Sequence, residues 1–388
     1  MVNVNINLRK IVHFDLDTFF VSVERLIRPE LIGKPVIIGG TSDRGVVSSC
    51  SYEARRFGVH AAMPVKMARA LCRDAICIRG DMERYSKYSQ LVTEIISERA
   101  PLYEKASIDE HYIDVTGMDR FFGTLQWTHE LRKAIIRNTG LPISFGLSVN
   151  KTVSKIATGE AKPNGELQVL MPDVQGFLNP LSISKIPMIG EKTYRLLRSM
   201  GIVTIRTLST VPPEMMERVM GKNGIVIWQK ANGIDNTPVR SYSEAKSVST
   251  ETTFDQDTID IARMKEILVK MVEKLSFELR DGMKLTACVT VKIRYSNFDT
   301  HTMQQNVPYT AFDHQLIPVV KDLFDRLYQR RMLIRLIGVR FSRLIPGSPQ
   351  LNMFEDSTEM ISLYQAMDKV RRKYGQKIVT RGSNLYVF

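Results

Sequence analysis

Lys10 to Asp17 is the stretch that most restricts what this chain can become. Ile11, Val12 and Phe14 suit the inside of a sheet, yet the run ends directly in two carboxylates, Asp15 and Asp17. Acids at the end of a buried strand are costly unless something cationic meets them. A second acidic point lies in Tyr103 to Thr116, where Asp109-Glu110 falls between two segments that read as strands and is expected to form a tight hairpin turn. Alone, an acid pair in a turn is a solvated loop. Together, the two clusters deliver three or four carboxylates from two strands, with no convincing set of His or Cys ligands. Such hard oxygen donors suit Mg²⁺ or Mn²⁺, and the chemistry they point to is two-metal phosphoryl transfer.

Several classes are excluded by composition. No uninterrupted apolar run approaches the roughly 20 residues of a membrane span, and the N-terminus lacks the basic start and cleavage site of a secretory signal. The expected location is the cytoplasm, with no membrane partner. Cys50, Cys72, Cys77 and Cys288 are scattered without zinc spacing and read as small buried hydrophobes of a reducing compartment. The formal net charge of +13 suits a polyanionic partner. At 388 residues the chain should hold several domains.

Along the chain, Phe19 to Arg28 reads as an amphipathic helix with Phe20, Val23 and Ile27 on one face. Pro35 to Gly40 and Val46 to Ser51 read as strands, followed by a small cation-bearing lobe. Within it, Tyr52 and Arg55 share a helix face near a helix start, where anions are favoured. Met82 to Arg99 and Leu125 to Asn138 read as helices, and Ile143 to Val149 as a strand. With residues 29–79 set aside as an insertion, residues 10–150 run β-α-β-β-α-β, the ferredoxin-like order. Lys162 then enters a Pro-Asn-Gly turn. A turn lysine is ordinarily a solvated charge; beside Arg55 it would clamp phosphates.

Ile183 to Leu208 reads as a helix-hairpin-helix, in which Gly190 lets backbone N–H groups approach a DNA phosphate, although Met188 stands where glycine is commoner. Asn232 to Ala245 is the best linker candidate. Four strands and two helices follow, with Lys292, Arg294, Arg340 and Arg343 as sheet-borne cations suited to a nucleic-acid backbone. A solvated sheet is the competing reading. Beyond Pro346, Gln350 to Phe354 is a short apolar peptide of the kind used in recognition, and the chain closes with a helix, Ser357 to Tyr374.

Taken together these motifs resemble the Y family of translesion DNA polymerases, in its bacterial DNA polymerase IV branch. The segments Phe14-Asp15-Leu16-Asp17, Tyr52-Glu53-Ala54-Arg55, Ser107-Ile108-Asp109-Glu110, Ala161-Lys162-Pro163-Asn164-Gly165 and Ile337-Gly338-Val339-Arg340-Phe341-Ser342 follow the family's order across nearly the whole chain.

The resemblance implies an α+β right hand: a ferredoxin-like palm (1–30 and 80–170), fingers (31–79), a helical thumb (171–235), a linker (236–246), a little finger (247–345) and a tail (346–388). It further implies a low-fidelity, template-directed polymerase that serves translesion synthesis in DNA repair as a monomer. By family analogy Asp15, the Leu16 carbonyl, Asp109 and Glu110 hold two Mg²⁺ ions, with Mn²⁺ an alternative. Tyr52, Arg55 and Lys162, with Ser49, would bind the incoming deoxynucleoside triphosphate, and Phe20 would exclude a ribose 2′-hydroxyl. Gly190, Lys192, Lys292, Arg294, Arg340 and Arg343 would touch primer-template DNA. Gln350, Leu351, Met353 and Phe354 would dock on a sliding clamp. The competing readings are a palm-type nucleotide cyclase, which has no use for a thumb hairpin or clamp peptide, and a non-catalytic DNA-binding repair factor.

Overall fold

In the computed structural model, strand β1 (Ile11–Leu16) is buried along nearly its whole length and leads through Thr18, whose φ of 43° is left-handed, into helix α1 (Phe19–Ile27). A small lobe follows, made of β2 (Val36–Gly39), β3 (Val47–Cys50), α2 (Tyr52–Arg55), α3 (Val65–Leu71) and β4 (Ile76–Ile78), with its own sheet in the order β3-β2-β4. The chain returns through α4 (Met82–Ser97), β5 (Tyr103–Lys105), β6 (Glu110–Asp114), α5 (Thr124–Thr139), β7 (Ile143–Ser148), α6 (Lys151–Ala161) and β8 (Glu166–Gln168). The large sheet runs β5-β6-β1-β7-β8, antiparallel except for the parallel β7–β8 pair. The structure describes residues 9–40, 42, 44–118, 123–241, 244–347, 358–375 and 378–379. It divides into two compact units, Met1–Ser243 and Glu244–Phe388.

Strand alternation explains how so apolar a strand can carry acids. Val12, Phe14 and Leu16 sink into the core with Val92 and Ile96 of α4 and Leu131 and Ile135 of α5. The intervening side chains, Ile11, His13 and Asp15, take the opposite face, where His13 meets Thr158 of α6.

Three local expectations are corrected. Asp109 closes the hairpin turn and Glu110 lies beyond it: the Ala106 and Ser107 N–H groups both donate to the Glu110 carbonyl, so Glu110 already opens β6. Ser107 Oγ accepts from the Asp109 and Glu110 amides and centres the turn on itself. On α1 the buried set is Phe19, Val21, Ser22, Val23 and Glu24, while Ile27 is exposed. The helix is covered on more than one side, since Glu24 accepts a hydrogen bond from the buried Tyr85 hydroxyl of α4. Helix α6 was not anticipated, although Asn150 caps it by accepting from the Val153 amide at 3.0 Å.

Helices α7 (Val174–Leu178), α8 (Glu191–Ser199), α9 (Ile205–Ser209), α10 (Pro213–Met220) and α11 (Lys222–Ala231) share a second core with Val153 and Ile156 of α6. Met188, in the turn before α8, adopts a left-handed φ of 85° with its side chain exposed, so it takes the backbone conformation that glycine adopts without strain. The linker candidate carries no helix or strand among its described residues before β9 (Ser247–Thr258), yet residues 233–240 are tied to the first unit. Asn150 Nδ2 donates to the Gly233 carbonyl, Thr152 Oγ1 to Asp235, Arg9 to the Thr237 carbonyl and the Arg240 amide to Glu104. Val239 packs against Ile11 and Tyr112.

In the second unit, β9 is followed by α12 (Ile261–Asp281), β10 (Lys284–Tyr295), β11 (Thr300–Thr310), α13 (Asp313–Leu327), β12 (Ile334–Ser342), β13 (Ile345–Pro346) and α14 (Thr358–Tyr374). The sheet order is β11-β10-β12-β9, with α12 and α13 sharing one core with its apolar face. Arg280 of α12 ties α14 down through Asp368 and lies under the Tyr364 ring. No helix among the described residues is long and apolar enough to cross a membrane.

The first unit depends on one close approach. A Cβ added to Gly146 of β7 would lie 2.2 Å from the Ser154 carbonyl oxygen and 2.6 Å from the Thr158 amide nitrogen of α6. Gly146→Ala is therefore expected to push α6 off the sheet and destabilise this unit by about 3 kcal/mol. Calorimetry would show its melting transition moving down while that of the second unit stays in place.

Candidate active site

Asp15 and Glu110 are direct partners across the antiparallel β1–β6 pair. Like charges in that position repel, and two lysines offset the repulsion. Lys162, from the turn after α6, pairs with Asp15, and Lys155 of α6 spans both Glu110 oxygens at 2.6 and 2.5 Å. Burial, reinforced by Glu110 and Asp109, pushes the Asp15 carboxyl up to about 6 despite Lys162. Burial works to raise Glu110 as well, but His13 and the Lys155 ammonium more than reverse this and bring it down to about 2.

His13, Asp15 and Glu110 place ligand atoms within 4.8 Å of one another, the one such group among the described residues. The Thr158 hydroxyl has carbonyl acceptors in His13 and Ser154, which assigns the proton between it and His13 to Nδ1. His13 Nε2 faces the cluster, 3.7 Å from Glu110. Burial lowers the His13 pKa, against the opposing pull of Glu110.

Asp109 stands beside this group and outside it. Its carboxylate accepts from Ser107 Oγ at 2.6 Å, and its carbonyl accepts the Leu16 amide, which stitches the turn to the end of β1. Asp17 is buried and fully engaged, accepting from Ser144 Oγ at 2.9 Å and from the Asn164 amide at 2.6 Å. It thus fixes the turn that delivers Lys162, whose Nζ lies 3.7 Å from it. The Tyr52 hydroxyl is 3.5 Å from the other Asp17 oxygen, and the Arg55 guanidinium lies 4.9 Å from the Tyr52 ring centre. Burial, with the Asp17 charge next, raises the Tyr52 pKa and keeps the phenol protonated.

The structure therefore links Asp15, Lys162, Tyr52 and Arg55 through Asp17. Phe20 stacks on Tyr85 with ring centres 4.3 Å apart. Ser49, paired with Ile38 in the small lobe, makes no described contact with the cluster. Gly190 caps α8 and Lys192 lies exposed in its first turn. Lys292, Arg294 and Arg340 belong to the second unit's sheet; Arg343 lies past the end of β12 with a left-handed φ of 55°, off the strand row where it was expected. Gln350, Leu351, Met353 and Phe354 lie outside the described residues.

Sequence reasoning missed Lys155, His13 and the structural use of Asp17. A signal existed for the first: Lys151 and Lys155 are one helical turn apart behind an Asn cap, beside the apolar Val153, Ile156 and Ala157.

Comparisons with known proteins give the family. The impB/mucB/samB family matches residues 14–159, and its C-terminal domain matches residues 245–353. A DNA polymerase IV of Dehalococcoides mccartyi is 38% identical over 380 residues, covering 97% of each chain. One from Treponema denticola is 33% identical over 95% of this chain and 94% of its own. Among solved structures, a Y-family chimera of Dbh and Dpo4 superposes with a TM-score of 0.78 at 27% identity, over 87% of this chain and all of its own. An insertion ternary complex of Dbh DNA polymerase gives 0.63 at 26% identity, over 87% of this chain and 100% of its own. The chain belongs to the impB/mucB/samB family of Y-family DNA polymerases, on its DNA polymerase IV branch, and is a DNA-directed DNA polymerase.

Proposed function

We propose that this polymerase extends a primer 3′-hydroxyl with deoxynucleotides, by phosphoryl transfer at the Asp15–Glu110 cluster, as a low-fidelity translesion enzyme of DNA repair. The observation that carries the reading is the cross-strand pair Asp15 and Glu110, each met by a lysine from the α6 region. This carboxylate set fits a hard divalent cation: Asp15 and Glu110 supply oxygen donors at a spot where two lysine ammonium groups already supply the positive charge that an ion would bring. Asp15, the Leu16 carbonyl, Asp109 and Glu110 would hold two Mg²⁺ or Mn²⁺ ions, which supply activation of the hydroxyl and neutralisation of the leaving pyrophosphate.

The remaining chemistry is positioning by the chain's own groups. Lys162 exchanges Asp15 for a triphosphate oxygen, and Arg55 and the protonated Tyr52 donate to the same phosphates, with Ser49 at the lobe's edge. Phe20, held flat by Tyr85, blocks the space beside the sugar. Gly190, Lys192, Lys292, Arg294, Arg340 and Arg343 grip the primer-template backbone. The tail residues Gln350, Leu351, Met353 and Phe354 bind a sliding clamp, and the polymerase acts as a monomer. The lobe over residues 31–79 is small, so it checks the nascent pair loosely, which lowers accuracy.

Asp109→Ala is expected to abolish primer extension while leaving primer-template affinity within about twofold; extension at the parental rate would refute the site. Phe20→Ala is expected to reduce discrimination against ribonucleotides by roughly 10- to 100-fold. Single-nucleotide insertion kinetics with ribo- and deoxynucleoside triphosphates measure it, and an unchanged ratio would remove Phe20 from sugar selection.

A further inference from the structure

The open face of the second unit's sheet is polar, and Lys292 and Arg340 line a trough of about 520 Å³ upon it. One acid lines the same trough. Glu251 of β9 reaches over β12 to Lys292 of β10, with Nζ–O distances of 2.8 and 3.0 Å. The three strands bring this about by register: Glu251 is paired with Gly338, and Gly338 with Lys292. A Cβ on Gly338 would lie 2.7 Å from Glu251 Cγ, so the side chain crosses β12 only where that strand is bare.

Stability does not account for this arrangement. The Glu251 and Lys292 side chains are 40% and 28% exposed, and ion pairs this open contribute little to folding. A carboxylate on a face otherwise furnished with cations and hydroxyls also lowers its attraction for a polyanion.

We propose that Glu251 is an internal substitute for a DNA phosphate: it occupies Lys292 in the free protein, yields it when a phosphodiester docks, and thereby limits how tightly this face grips the backbone. The proposal rests on the reading of this face as a DNA contact. Its consequence is a polymerase that releases its template readily, because each docking event must break an existing ion pair and leaves an anion beside the incoming one.

The test uses the full chain and a fluorescently labelled primer-template, with affinity measured by anisotropy across a range of salt concentrations. Glu251→Gln is expected to bind about fivefold more tightly at low salt, the weight of one unit charge at contact distance in water, with the gain shrinking as salt rises. It should also lengthen the product made per binding event. Glu251→Thr, which suits a strand and cannot pair with Lys292, should behave the same way. Lys292→Gln should weaken binding and reduce the salt slope by about one. If Lys292→Gln weakens binding while both Glu251 variants match the parent, the proposal is overturned and the DNA-face reading stands. Should Lys292→Gln leave affinity and salt slope untouched, the face does not hold DNA, and both readings fall together.

Discussion

Two carboxylates facing each other across a strand pair, Asp15 on β1 and Glu110 on β6, are the constraint around which the first unit is arranged. Such a pair opposes folding unless positive charge is close and held in place. Both compensating ammonium groups come from one element and its exit turn, Lys155 on α6 and Lys162 just beyond it. Helix α6 must therefore sit close to the sheet. Gly146 permits that contact, and Asp17, by accepting from Ser144 and the Asn164 amide, fixes the turn at its far end.

A cluster stabilised in this way is poised for exchange. The lysines satisfy the acids in the free chain, and both are the kind of mobile point charge that can be given up to a phosphate or displaced by a stronger cation. Lys162 illustrates the economy of the site, since it lies against Asp15 and near Asp17 while Tyr52 and Arg55 approach from the small lobe. Glu251 and Lys292 repeat the device on a smaller scale in the second unit, where the pair lies on an open sheet face. In both places the proposed ligand would take over one partner of an internal ion pair.

Much of this is legible in the sequence. β1, β7, β10 and β12 are apolar or alternating runs, and α4, α5 and α12 have clear helical periodicity, so local composition is enough to locate them. The errors arose where neighbours decide. Ile27 looked like part of a core stripe, yet α1 is buried on the side of Glu24, because the Tyr85 hydroxyl satisfies that carboxylate. The turn expected at Asp109-Glu110 closes at Asp109, because the Ser107 hydroxyl accepts from the amides of both residues and Glu110 already joins β6. The stretch read as a linker has the composition of one, but residues 233–240 find partners on Asn150, Thr152, Glu104 and Arg9.

The sequence by itself determined the chemistry on offer: which strands end in acids, which turn carries Lys162, and which family order these motifs follow. Only the tertiary structure decided how those acids are tolerated. Lys155 and His13 are ordinary residues in isolation, and they join the site because α6 packs across β1 and β7, bringing together side chains 45 and 145 positions apart. Charge compensation depends on distance in space, and for groups so far apart in the chain that distance exists only once the sheet and the helix have closed on each other.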